Sequence, residues 1–433
     1  MEPWVLSVLC VAIFIVVMLL GVPVVYSLGI AAVVAGLIGY GPSVLPKVGW
    51  APFSMLFNLA WTPLPLFVLM GSLIAETTMG EDLFKAASKW LSRVPGGLIA
   101  SGIVGEAIMS AALGTSAATI IVMGKVAEPE FERYHYNKAF SFGALLAGGV
   151  LGPLIPPSAT FIIYAVLTDT SLGHLFIAGI VPGILLTFML VIPAILICWR
   201  RPQYGPPAGR FSWRERFASL KKIWAIMLVM VCVLGVIYLG VATATESAGV
   251  GCVAVLLIGV VSFGLRWNGI RRAIIDAATI NGMILFIFVG ASLFTYVLGS
   301  TNVAKYLLNY VHSSGLSRWW VMIGINIVYL ILCCPLDELT VTFVTIPIFF
   351  PLIVSLGFDP VWFGIVFTVN TQLGLITPPL GIDLFATTNV FKIPTNELLR
   401  GVAPFFATLL VFLVIIIAFP QISLWLPDMM LGK

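Results

Sequence analysis

Long apolar runs, separated by short polar or proline-bearing breaks, set the pattern of this chain. A helix needs about 20 residues to cross roughly 30 Å of hydrocarbon. Runs of that kind lie at 4–20, 22–40, 51–75, 139–168, 174–198, 223–240, 246–264, 273–298, 361–388 and 401–426, and each predicts a membrane-spanning helix. Two more apolar stretches, 98–126 and 319–349, are interrupted near their middles by LGTSAAT (113–119) and CCPLDELT (333–340). They predict hairpins. Between 81 and 93, EDLFKAASKWLSR puts apolar and charged residues on different faces at helical spacing, as an arm lying along a membrane surface would.

Composition agrees with the pattern. Of 433 residues, 60% are hydrophobic and 9% charged, with a mean hydropathy of +1.11. A water-soluble globular domain is excluded, leaving an all-α polytopic membrane protein. The opening MEPWVLSVLC has neither the basic segment nor the cleavage site of a secretory signal, so the first run is expected to stay as a span. Cys10, Cys198, Cys232, Cys252, Cys333 and Cys334 lie in or at the ends of apolar segments without metal-ligand spacing, and His135, His174 and His312 are scattered. HExxH, GxSxG and DDxxD patterns are absent, so no enzyme is expected.

The net charge of +4 reports orientation in the membrane and gives no reason to expect a nucleic-acid partner. In WRRPQYGPPAGRFSWRERFASLKK (199–222), Arg200, Arg201, Arg210, Arg214, Arg216, Lys221 and Lys222 face a single acid, Glu215, which makes this linker cytoplasmic. Arg266, Arg271 and Arg272 return to the same side two spans later, whereas 169–173 has no base and belongs outside. Lys125, Arg133 and Lys138 belong inside, as do Lys85, Lys89 and Arg93. The intervening stretch 98–126 must then leave the membrane on the side it entered, as a re-entrant hairpin.

One offset relates several punctuating residues. Pro129, Gly152, Pro156, Pro157 and Pro182 fall on Pro351, Gly374, Pro378, Pro379 and Pro404, each 222 positions on. Loop 124–138 is basic while 346–360 holds only Asp359; loop 169–173 has no base while 389–400 carries Lys392 and Arg400. Equivalent loops thus lie on opposite sides, the mark of an inverted repeat. The expected division is 1–50, N-terminal scaffold helices; 51–198, first repeat with arm, hairpin 98–126 and broken helix 139–168; 199–272, basic linker and two connecting spans; 273–426, second repeat with hairpin 319–349 and broken helix 361–388; and 427–433, a tail.

Proline lacks an N–H and clashes with the preceding turn, so GPLIPPS (152–158) and GLITPPLG (374–381) should each divide a span into two half-helices. Broken backbone at membrane depth is tolerated where protein or a wet cavity satisfies it. Freed carbonyls suit a small cation, and half-helix N-termini suit an anion. Each hairpin tip is expected to meet the broken helix of its own half: Gly114 to Ser116 with Gly152 to Ser158, and Pro335 to Thr340 with Gly374 to Pro379. Two such oxygen-rich clamps would suit Na+. Asn370, Gln372, Thr340 and Asp383 are candidates for the substrate; Asp383 reads either as an ion or proton ligand or as a capped, cavity-facing residue. Glu106 and Glu246 are read as local structural partners. Asp337 and Glu338 carry the cost of charge at mid-bilayer, about 2.5–3.5 kcal/mol each.

GTSAATIIVMGKVAEPEF (114–131), GPLIPPSATFIIYAVLTDTSLGHLFIAGIVPG (152–183) and the stretch from DELTVTF (337–343) to GLITPPLGIDLF (374–385) resemble, in combination and order, the large membrane subunit of TRAP transporters, the tripartite ATP-independent periplasmic transporters. The resemblance covers nearly the whole chain, departing at Cys333, Cys334 and Pro335 and at Asp383. It implies an inverted-repeat, elevator-type fold in a bacterial or archaeal inner membrane, among membrane lipids. It also implies a small four-helix membrane subunit and a periplasmic substrate-binding protein as partners, and sodium-driven uptake of an organic acid such as a C4-dicarboxylate or sialic acid. Carried over to this chain, the Na+ ligands are Gly114, Thr115, Ser116, Pro156, Pro157, Ser158, Asp337, Thr377, Pro378 and Pro379. A stand-alone sodium- or proton-coupled anion symporter of related architecture is the alternative.

Overall fold

The computed structural model describes residues 3–378 and 381–431, and among them every regular element is helical. The first half runs α1 (Pro3–Leu19), α2 (Val24–Tyr40), α3 (Leu45–Leu56), α4 (Pro63–Ala75), α5 (Met79–Leu91), α6 (Gly97–Leu113), α7 (Ser116–Arg133), α8 (Lys138–Gly148), α9 (Leu151–Leu154), α10 (Ala159–Thr168) and α11 (Leu172–Arg200). After α12 (Trp213–Leu220) come α13 (Trp224–Tyr238), α14 (Ala244–Ser262), α15 (Trp267–Ser300), α16 (Val303–Ser314), α17 (Arg318–Leu332), α18 (Glu338–Ser355), α19 (Pro360–Leu375), α20 (Ile382–Phe391), α21 (Thr395–Ala418) and α22 (Gln421–Leu431). Six helices are long and apolar enough to cross a membrane, or up to nine if each bent pair counts as one span, among the described residues.

Two expected spans are interrupted. The run 51–75 is divided between α3 and α4, because the Asn58 side chain accepts the Ala60 N–H at 2.9 Å and closes a separate turn. Pro63 and Pro65, which cannot donate, then fall in the first turn of α4, where donors are unused anyway. The run 401–426 starts earlier, at Thr395, and stops at Ala418. Phe419, forced toward extended backbone by Pro420, separates α21 from α22.

The 222-residue spacing is carried by whole elements. Helices α7 and α18 have 18 residues each and begin at 116 and 338; α8 and α19 begin at 138 and 360; α10 and α20 have 10 residues each. Helices α1 and α2 likewise have counterparts of similar length in α13 and α14. The halves meet where Tyr164 Oη donates to Pro360 O at 2.7 Å and where the rings of Phe142 and Phe391 lie 4.3 Å apart, while within the second half Trp362 Nε1 donates to Ile416 O at 2.9 Å.

The basic linker folds back on the first half. Gly96 N donates to Gly205 O at 2.8 Å, Ala208 N to Ser92 O at 3.0 Å and Asn137 N to Tyr204 O at 3.0 Å, while Lys222 pairs with Asp82 at 3.6 Å. The segment before α6, the segment after α7 and the linker therefore share one face. Helices α6 and α7 leave by the side on which they enter, as the distribution of basic residues requires.

Candidate functional site

The first hairpin turns at Gly114, whose φ of +66° closes α6 in the left-handed region that favours glycine. A Cβ there would also lie 2.9 Å from Pro157 O. Thr115 is extended, and Ser116 opens α7. Opposite the tip, the Pro156–Pro157 peptide bond is cis, and Ser158 caps α10 by accepting the Phe161 N–H at 3.3 Å. Tip and break touch directly: Ala159 N donates to Gly114 O at 3.4 Å, and Gly152 packs on Thr115, where a Cβ would fall 2.6 Å from its carbonyl oxygen. Beside them a crevice of about 10 Å³ is bounded by Gly114, Thr115 and Pro157. That is room for roughly one water-sized particle, which a dehydrated sodium ion also fits.

The second tip is built differently. Asp337 is the N-cap of α18 and accepts from Thr340 N at 3.0 Å and from Thr340 Oγ1 at 2.5 Å. The two candidate residues thus satisfy each other. Thr377, in the second break, donates its hydroxyl to Leu373 O at 2.6 Å, and its carbonyl accepts from Gly381 N at 3.1 Å and from Cys334 Sγ at 3.3 Å. Cys334 therefore carries the contact between this tip and its own break. Pro378 is exposed; Pro379 lies outside the described residues.

Contacts between the halves were not legible beforehand. Ser116 Oγ donates to Asp383 Oδ2 at 2.6 Å, joining the first tip to the second broken helix. Thr160, on the first broken helix, donates to Glu338 on the second tip. In each pair the first residue of a tip helix meets the second residue of the other half's post-break helix, with hydroxyl and carboxyl exchanged. Thr160 had no signal of its own, since one threonine in an apolar run resembles any other. Through these two pairs the N-termini of α7, α10, α18 and α20 meet, bringing the positive ends of four helices to one place. No lysine or arginine occurs in 113–119, 152–160, 335–340 or 370–383.

Among the other candidates, Asn370 is fully buried and donates through Nδ2 to Asn326 O at 3.1 Å and Asn326 Oδ1 at 2.7 Å, while its own Oδ1 has no partner. It braces α19 against α17. Gln372 is buried next to Glu338 with neither end of its amide in a completed hydrogen bond. Glu246 is the local partner expected, closing a capping box with Thr243. Glu106 is not: it is fully buried on α6 and neither carboxyl oxygen has a hydrogen-bond partner. A cavity of about 280 Å³ beside the first tip is lined by Thr115, Ser72, Glu76, Asp276 and Thr279. Ser72 comes from α4, Glu76 from the cap that ends it, and Asp276 and Thr279 from α15; the sequences of both helices read only as span. Among the described residues, no three His, Cys, Asp or Glu side chains are grouped to hold a metal; the first tip and its break offer hydroxyl and carbonyl oxygens, a donor set that fits a weakly held monovalent cation, while the carboxyls of Asp337, Glu338 and Asp383 are bonded to Thr340, Thr160 and Ser116.

Paired hairpins facing paired broken helices define a membrane transporter fold. Two solved structures share it: the YdaH transporter of Alcanivorax borkumensis, with a TM-score of 0.62 over 99% of this chain and 100% of that one at 14% identity, and Neisseria gonorrhoeae MtrF, with a TM-score of 0.57 over 98% and 95% at 13% identity. The family is given by sequence. The family model described as "Tripartite ATP-independent periplasmic transporter, DctM component" matches residues 11–422, and the chain belongs to that family. It is 33% identical to the C4-dicarboxylate TRAP transporter large permease protein DctM of Pseudomonas aeruginosa over 93% of this chain and 94% of that protein. It is 29% identical to the sialic acid large permease SiaM of Vibrio cholerae (87% and 88% covered) and 28% identical to the ectoine large permease TeaC of Halomonas elongata (98% and 99%).

Proposed function

We propose that this large permease component takes up an organic acid, handed over by a periplasmic binding protein, by sodium symport in an elevator movement. It would work with a small four-helix membrane subunit in the inner membrane. The observation that carries the reading is the double clamp: each tip rests on the break of its own half, and Ser116–Asp383 and Thr160–Glu338 tie each tip to the other half. Such a unit can move as one body with its load. The electrostatics favour co-binding of cations. An organic anion arriving at a site with Asp337, Glu338 and Asp383 and no basic side chain meets only the helix N-termini as positive partners. Sodium at the tip crevice would offset the charge and order Gly114 to Ser116 around it. Relatives named for C4-dicarboxylates, sialic acid and ectoine support the carboxylate class and leave its member open.

The test is uptake of radiolabelled organic acids into proteoliposomes holding the complete complex and its binding protein, with and without an inward sodium gradient. Accumulation that needs sodium and the binding protein, and that Ser116→Ala weakens, supports the proposal. Equal uptake without sodium overturns the coupling, and uptake without the binding protein favours the stand-alone symporter.

A further inference from the structure

A wide cavity lies away from the transport site, where α11 ends and α21 begins. It measures about 680 Å³, and its polar lining is Arg200, Arg201, Tyr204, Asn137, Glu397 and Arg400. Its apolar lining includes Ile197 and Pro404, and from there a second cavity of about 380 Å³ follows the same two helices between Met189, Ile192 and Leu196 on one and Ala407, Thr408 and Val411 on the other. On α11 the stripe 189, 192, 193, 196, 197, 200 and on α21 the stripe 400, 404, 407, 408, 411 recur every three or four residues, so each is one helix face. Eleven residues of helix rise about 16 Å, half of the roughly 30 Å hydrocarbon thickness. The groove is one leaflet deep.

Arginines at a membrane face are ordinarily solvated, and a lone one here would carry nothing. These three line a single concavity, and none has a carboxylate within ion-pair distance among the described residues. Arg201 has only the Tyr204 ring, 5.9 Å away. Three arginines against Glu397 leave a surplus of two positive charges in the cavity. A soluble anion would use the mouth and leave the groove unexplained; an acyl chain would use the groove and leave the arginines unexplained.

We propose that α11 and α21 form a binding site for an anionic phospholipid, its phosphodiester among Arg200, Arg201 and Arg400 and an acyl chain along the groove. Both helices follow the half-helices α10 and α20 after three-residue links. The lipid therefore braces the two elements that anchor the broken helices and travels with them. It is independent of the sodium reading, because it stands on residues outside both tips.

The test is native mass spectrometry of the complete complex after reconstitution in vesicles of phosphatidylglycerol or of phosphatidylcholine, scoring lipid retained on this chain. Phosphatidylglycerol is expected to be retained preferentially. The triple variant Arg200→Gln/Arg201→Gln/Arg400→Gln should lower its retention about 100-fold, three basic groups' worth of attraction to an anionic headgroup. Ala407→Trp, which fills the groove and leaves every charge, should lower it as well, and carries the test if the triple variant does not assemble. Equal retention of phosphatidylcholine, phosphatidylglycerol retention that Ala407→Trp does not change, or complete displacement by millimolar inorganic phosphate overturns the proposal, the last by making this a free-anion site.

Discussion

At the scale of single residues, the site is governed by which polar groups are already committed. Ser116 and Thr160 spend their hydroxyls on Asp383 and Glu338, so removing either hydroxyl leaves a buried carboxyl short of a donor. Net losses of this type run to about 1.5 kcal/mol, and Ser116→Ala and Thr160→Val are each expected to raise the half-saturating sodium concentration about tenfold in proteoliposome uptake. Glu106 behaves oppositely. Because neither of its oxygens is bonded, Glu106→Gln loses no hydrogen bond and is expected to leave the melting temperature of the purified protein unchanged. Its neighbour Gly148 is packed so that a Cβ would enter the Glu106 carboxyl. Gly148→Ala should then destabilise by about 1–3 kcal/mol, with much of the loss recovered in Gly148→Ala/Glu106→Ser; no recovery would show that the space is needed for something else.

At the scale of elements, helix ends decide where the polar groups point. Asp337 acts as the cap of α18, and serine is as good a cap. Asp337→Ser is therefore expected to keep sodium-dependent uptake while Asp337→Ala loses about 1 kcal/mol of stability; uptake lost in Asp337→Ser would instead make the carboxylate a ligand. Helix α12 has a capping box in which the Ser212 backbone N–H and then its hydroxyl hold the Glu215 carboxyl below the usual glutamate range. A depressed value in the folded state means that this contribution is present above the unfolded glutamate value near 4.3 and is lost as pH falls through the lower folded one. Hydrogen-exchange protection factors in α12, in which the pH dependence of intrinsic exchange is divided out, should fall across that acidic window, and Glu215→Gln should abolish the fall. The broken helices were readable because proline acts locally, whatever surrounds it. The breaks at 57–62 and 419–420 were missed because hydropathy averages over a cap such as Asn58 or a single proline such as Pro420.

At the scale of the molecule, the two halves interlock through the site. Because Ser116 and Asp383 belong to the unit that moves as one body, a bond across that seam should be tolerated. Oxidising a Ser116→Cys/Asp383→Cys pair is expected to leave uptake at the residual rate of the reduced variant; uptake abolished by the disulfide and restored by reduction would show that the tip parts from the opposite half during the cycle. Similarity to transporters at 13–14% identity across whole chains fits an architecture set by hydropathy, helix breaks and repeat symmetry, all of which tolerate wide substitution.

The sequence alone determined the apolar spans, the hairpin at 98–126, the two proline breaks and the 222-residue repeat, because each rests on local chemistry: hydropathy, charge sidedness and the missing proline N–H. It also marked Gly114 to Ser116 and Pro156 to Ser158 as partners through the logic of one half. Only the tertiary structure decided that Ser116 reaches Asp383 and Thr160 reaches Glu338, that Asn370 is spent on Asn326, that Glu106 stands unpartnered, and that Arg200 and Arg400 share one cavity. These depend on how two halves pack across some two hundred residues of chain, and no spacing, period or motif encodes which side chain meets which at that distance.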